Sequence, residues 1–337
     1  VTAPGQRIVA IDMLKGAAIV WVMLIHAEAL RDRLVMVHVF NHAVPIFVVL
    51  FGLNSELWWR RRTWADLGTW YVSRARRLYV PIWAMLVVWW AMALWFQRPL
   101  IPLSWKLLVW HAVGDLEFVG TAWFVTLILQ LVVLFPFVHF VARRLGLGVT
   151  LLLGIAATVL SVAFRMELVA WIGISGMRSF SPRFLGHVAF GMLLAHHLDW
   201  LRWRTALLCM ALVVPCWTSH AGVLLPALGP YAERLLDLPL TLALLVAMGA
   251  FADVTLVARP LAWLGVHSWG LYVGQMLVHN AFGFTMGYRN ALARIDSGVY
   301  ALILLAGSLV LVLAGNALLA RVERWRQPST TGATSQR

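Results

Sequence analysis

Charge is scarce in this chain. Of its 337 residues only 12% are Asp, Glu, Lys or Arg, against 62% hydrophobic. With a mean hydropathy of +0.82, that balance excludes an ordinary soluble globular domain. Cysteine is nearly absent. Cys209 and Cys216 sit in one apolar segment, which excludes a disulfide scaffold and a cysteine-based metal cluster, and leaves the compartment open. Also missing are a soluble domain, a low-complexity tract and an internal repeat; only the ending "QPSTTGATSQR" has the composition of a disordered tail. No small-residue cleavage site follows the first apolar run, so a removable signal peptide is not expected.

What remains is an integral membrane protein. About ten apolar runs are long enough to cross a hydrocarbon core of roughly 30 Å: 12–30, 37–58, 78–96, 121–142, 147–166, 183–198, 204–222, 238–257, 262–284 and 298–320. The fold class expected is an all-α polytopic helix bundle, with one domain over 1–327 and a tail over 328–337. Nineteen tryptophans suit the boundary between hydrocarbon and headgroups. In the short sixth run, Gly186 and Gly191 predict close helix packing. The stretch "RPLIPLSWKLLVWHAVGDLEFVG" is too interrupted to span and is expected as an outer loop with a short interfacial helix.

A formal charge of +13 and a pI near 11.1 would suit a nucleic-acid binder only with a basic soluble face, and none is visible, so no nucleic-acid partner is expected. Topology explains the excess better. The loop "RRRTWADLGTWYVSRARR" carries six arginines and one aspartate and belongs on the cytoplasmic side. Its Trp64, Trp70 and Tyr71 predict an interfacial helix ahead of the third span. Ten spans with this loop inside put both termini in the cytoplasm.

The first span carries charge where lipid would forbid it. In "IDMLKGAAIVWVMLIHAEAL", the step from Lys15 to His26 returns to within about 20° on a helical wheel, and Asp12 lies within roughly 60° of Lys15. All three share a face that must turn to protein or to a water-filled cavity, because a charge facing lipid costs about 2.5 kcal/mol or more near the centre. His26, roughly 16 Å beyond Lys15, suits a general base, and Lys15 suits an anionic group. A plainer reading makes Asp12 a helix-start residue, Lys15 a snorkelling side chain and His26 a satisfied buried group.

Other positions carry weaker signals. Arg74 and Arg77, three apart, can hold phosphates together or merely face headgroups. His38 and His42, four apart, lack a third ligand, so no metal is expected and His42 is read as lining the outer mouth. Trp123 and Phe124 open the fourth span as a platform for a sugar or an acyl group, or as helix-end packing. Ser268, Tyr272 and Gln275 form an inward polar stripe. His111, His139, His187, His220, His267 and His279 have no spacing that singles them out, and His196/His197 flank a loop.

Five segments in order resemble the acyltransferase-3 family of membrane acyltransferases. "AIDMLKGAAIVWVMLIH" is similar to its D-x-x-R-G opening with a basic residue ahead of a His, and "AVPIFVVLFGL" to its V-P-x-F second helix. "SRARRLYVPIW" resembles its R-x-x-R, "TAWFVTLILQLVVLFP" its W-F segment, and "LGVHSWGLYVGQ" its late L-G-x-x-S-x-x-x-Y-x-x-H motif. Lys15 stands where the family has Arg, Phe51 where it has Ser, and Gln275 where it has His. Gln275 keeps hydrogen bonding but cannot take up a proton at neutral pH.

The resemblance implies transfer of an acyl group, acetyl above all, from cytoplasmic acyl-CoA as co-substrate to a hydroxyl of a sugar or surface polysaccharide, in the bacterial cytoplasmic membrane and without a permanent cofactor. His26 is then the base, Asp12, Lys15, Arg74 and Arg77 bind the donor, and His42, Trp123, Ser268, Tyr272 and Gln275 line the pocket. The partners are acyl-CoA, the glycan acceptor and membrane lipids; oligomeric state is open. So are three alternatives: a transporter or flippase of a glycan or lipid-linked intermediate, an N-acyltransferase acting on an amino sugar, and a scaffold in a polysaccharide-synthesis complex.

Overall fold

The computed structural model describes residues 8–27, 42–96, 123–164, 167, 180–218, 229–286 and 295–326. Among the described residues the chain is all-α: α1 Val9–His26, α2 Ala43–Trp59, α3 Leu67–Trp95, α4 Trp123–Leu145, α5 Leu147–Ala163, α6 Leu185–His196, α7 Trp203–Thr218, α8 Gly229–Ala250, α9 Thr255–Val266, α10 Ser268–Met286 and α11 Ser297–Arg326. Four stretches, Val9–His26, Trp64–Trp95, Trp123–Leu145 and Ser297–Leu318, are long and apolar enough to cross a membrane, and shorter apolar helices accompany them.

Local chemistry sets the helix limits. Pro45 falls in the first turn of α2, where a missing N–H costs nothing. Thr63 and Asp66 form a reciprocal capping box ahead of α3. Gly146 at φ 89° separates α4 from α5, a left-handed residue of the kind that ends helices without a Cβ clash. Arg143 and Arg144 in the last turn of α4 complement its carbonyl end.

Two expectations change. The interfacial helix expected ahead of a third span at 78–96 is instead the start of one helix of 29 residues, Leu67–Trp95. No strong breaker separates the two parts, and Pro81 is absorbed inside. The span expected over 262–284 is divided between α9 and α10 at His267, whose ring bonds the Trp263 carbonyl at 2.9 Å. The expected outer loop around 98–120, His38, His111, His220 and the tail over 328–337 lie outside the described residues.

Packing follows small residues. α1 lies against α9, α2 against α6, α5 against α6, and α10 against both α11 and α3. A Cβ on Gly265 would collide with the Asp12 carbonyl, and one on Gly16 with the Leu261 carbonyl. The same holds between α2 and α6, where Gly52 meets the Val188 carbonyl and Gly191 the Val49 carbonyl. Backbones approach this closely only where side chains are absent. Large apolar side chains such as Leu94, Leu152, Leu208 and Leu302 stay exposed on the outer faces, as lipid contact requires.

Candidate functional site

Three of the polar residues singled out by sequence share one region. His26, at the end of α1, brings its Nδ1 to Gln275 in the middle of α10, 3.1 Å from Oε1 and 2.9 Å from Nε2 as the amide is placed. Gln275 is almost fully buried, so its amide has strong reason to be satisfied by this ring. The amide can meet Nδ1 in either sense: Oε1 accepting from Nδ1–H leaves the lone pair on Nε2, and Nε2–H donating to Nδ1 leaves the ring proton on the far edge.

One turn before Gln275, Tyr272 packs edge-on against Phe124 at 5.3 Å and stacks on Trp269. Its hydroxyl bonds the Phe124 backbone. Trp123 sits next along α4, its ring 6.2 Å from that of Phe124. The start of α4 and the stripe on α10 thus form one aromatic wall leading to Gln275. Ser268 opens α10 below it.

The basic residues approach from the other end of that stripe. Gly265, just before the α9–α10 junction, touches the backbone of α1 at Asp12. Trp269, just after it, donates from Nε1 to the Leu78 carbonyl of α3 at 3.3 Å. The junction is therefore bracketed by Asp12 and Lys15 on one side and by the turn carrying Arg74 and Arg77 on the other. Lys15 pairs with Asp12 at 3.4 Å and keeps 20% of its side chain exposed. Asp12 accordingly steadies Lys15. Arg74 lies 4.4 Å over the Trp70 ring, and Arg77 is exposed.

His42 goes elsewhere. Its Nδ1 meets Asp237 of α8, whose other oxygen meets His187 Nε2 of α6 at 3.1 Å. A second carboxylate repeats the arrangement: Glu56 of α2 is held by His139 of α4 at 2.7 Å and by His196 at 2.9 Å. Asp237 and Glu56 are 1% and 3% exposed. Sequence reasoning missed these clusters and His279, whose ring lies 6.0 Å from that of His26. One signal was available: each acid interrupts an otherwise apolar run, and a buried acid there needs a partner. Its histidines are remote in sequence, so spacing could not name them. Among the described residues no group of three or more His, Cys, Asp or Glu is arranged to hold a metal ion.

A family model for an acyltransferase domain, that of the acyltransferase-3 family, matches residues 8–318. No curated protein and no solved structure matches the chain. The matched span covers nearly the whole sequence, including α1, the α9–α10 junction and Gln275. The chain belongs to the acyltransferase-3 family and is an integral membrane acyltransferase.

Proposed function

We propose that this acyltransferase moves an acetyl group from acetyl-CoA to a hydroxyl of a sugar or surface polysaccharide, with His26 as general base. The observation that carries the reading is the His26–Gln275 pair. In this reading Gln275 Oε1 accepts from Nδ1–H, which leaves Nε2 as the basic edge of the ring, and a positioned base contributes about 10²- to 10⁴-fold to such a reaction. Gln275 is then a positioning residue. It sets the tautomer, and its carbonyl dipole stays on the proton-bearing edge when His26 becomes an imidazolium.

The donor carries several phosphate charges, and Lys15 with Arg74 and Arg77 offers cations on both sides of the α9–α10 junction for charge-assisted bonds. Trp123, Tyr272 and the half-buried Ser268 continue from there toward Gln275 and would line the path of the pantetheine arm and acyl group. The acceptor hydroxyl gives its proton to His26 as its oxygen bonds the thioester carbon. The carbon–sulfur bond then breaks, and the proton passes to the leaving thiolate. Family membership favours this chemistry over passive transport of a glycan.

The protein belongs in this reading to the bacterial cytoplasmic membrane, with both termini and the Arg60–Arg77 segment facing the cytoplasm. Sealed vesicles of known orientation test the route. Labelled acetyl-CoA should be used only from the face bearing that segment, while a polysaccharide confined to the opposite face becomes labelled. Labelling that needs both substrates on the segment's face overturns the through-membrane route. Absence of any acetyl transfer overturns the donor assignment.

A further inference from the structure

Two arginines stand outside the assignments made so far. Arg143 and Arg144 close α4 and are exposed, and among the described residues neither is ion-paired. Two acids of neighbouring turns are otherwise engaged. Asp66 accepts from the Thr63 N–H at 3.0 Å and lies 3.9 Å from Arg62, and Glu56 is shared by His139 and His196. The carbonyl end of a helix amounts to about half a negative charge, so two guanidinium groups leave more than one positive charge uncompensated at the end of α4.

The helix face leading to them is apolar and open. Val133, Phe137, Phe140 and Arg144 follow one another at helical spacing on one side of α4 and reach over about 16 Å. Val133, Phe137 and Phe140 are 53%, 55% and 39% exposed, so this side looks away from the bundle. Along it aliphatic gives way to aromatic and then to cationic. Trp64, from the turn ahead of α3, closes one flank: its ring is 6.2 Å from Phe137 and 5.7 Å from Phe140, and Trp59 backs it at 6.2 Å. The Arg144 guanidinium lies 5.1 Å over the Phe140 ring. Farther along, the Tyr71 hydroxyl donates to the Val133 carbonyl at 3.1 Å and ties α3 to the same stretch. Ring and charge are thus held in place before a partner arrives, which lowers the cost of ordering them.

We propose that this face of α4, with Trp64, Arg143 and Arg144, binds one anionic phospholipid. An acyl chain lies along Val133 and Phe137, the glycerol backbone sits beside Trp64 and the Phe140 ring, and the phosphate meets the two arginines. None of these residues is assigned to the acyl donor or the base, so the site stands apart from the acyl-transfer reading. Its length, about half of a hydrocarbon core of roughly 30 Å, matches one leaflet and therefore one lipid. Charge selects the headgroup: an anionic lipid offsets the surplus at the end of α4, whereas a zwitterionic one brings an ammonium that two guanidinium groups repel. A second copy of this chain meeting the same face would set four arginines together, which like charge opposes.

Native mass spectrometry of the purified full-length protein reads the first lipid bound, with phosphatidylglycerol and phosphatidylcholine of the same acyl chains titrated separately. The parent should take up its first phosphatidylglycerol at lower lipid concentration than its first phosphatidylcholine. Arg143→Gln with Arg144→Gln should weaken that first phosphatidylglycerol by roughly 10- to 30-fold and leave phosphatidylcholine as in the parent. Phe137→Ala with Phe140→Ala should weaken both lipids. Equal uptake of the two lipids by the parent, or parental phosphatidylglycerol binding in the arginine variant, overturns the proposal. Should the double arginine variant fail to fold, parental binding in Arg144→Gln alone overturns it equally. Glycerol 3-phosphate, which has the charge and no chains, should leave the bound lipid in place; displacement at the lipid's own concentration makes this a soluble-phosphate site and overturns the lipid assignment. A dimer that becomes a monomer on Trp64→Ala puts a second copy on this face and overturns it as well.

Discussion

His26 and Gln275 are 249 positions apart in the chain, and their side chains meet at 3.1 Å. The contact joins the end of α1 to the middle of α10.

His26→Ala should therefore abolish acyl transfer while leaving folding and donor binding close to the parent's, because a base acts on the transition state more than on the ground state. Gln275→Leu removes the orienting partner and should lower kcat by roughly ten- to a hundredfold, less than loss of the base itself. Steady-state kinetics on well-expressed variants checks both. Turnover near the parent's in His26→Ala would sink the assignment.

At the opposite end of the stripe, Lys15→Ala and the double change Arg74→Ala with Arg77→Ala should raise the KM for acetyl-CoA several-fold. Parental donor affinity should weaken with added salt, since exposed cations are screened within about 10 Å at 0.1 M ionic strength. Lys15→Arg keeps the charge and should be tolerated. Unchanged donor affinity in the alanine variants would reduce these residues to topological anchors.

Gly265→Val should separate α1 from α9, because even a Cβ at that position overlaps the Asp12 carbonyl. Overpacking commonly costs about 1–3 kcal/mol. Here the obstacle is backbone, which cannot swing aside, so the loss should reach the upper end or beyond. Thermal denaturation in detergent reads it, and a melting temperature within a degree or two of the parent's would show that the helices part freely.

Glu56→Leu leaves His139 and His196 without their shared acceptor, and Asp237→Leu does the same to His42 and His187. Breaking a buried ion pair on one side costs about 3–5 kcal/mol when the remaining group is charged, and less for a neutral imidazole. Melting temperatures should drop in both variants. Adding His139→Leu to Glu56→Leu should recover part of the loss, since an orphaned imidazole is then replaced by apolar volume. Recovery absent from that double variant would mean the carboxylate itself, and not its stranded partner, accounts for the cost.

Composition alone determined that the chain is a helical membrane protein: few charges and long apolar runs leave no other way to satisfy the backbone in lipid. Helical periodicity in one segment was enough to align Asp12, Lys15 and His26, and the order of five short motifs carried the family resemblance. What sequence could not decide was where one helix meets another. Whether 60–96 holds two helices or one depended on whether neighbours would support α3 across its arginines, and the break at His267 falls where its ring bonds back to the Trp263 carbonyl. The partners of Asp237 and Glu56, and the approach of His279 to His26, join residues scattered over the chain, which no local pattern encodes. Tertiary packing chose them, because a polar group removed from water must find its hydrogen bonds wherever close-packed helices bring another polar group within reach.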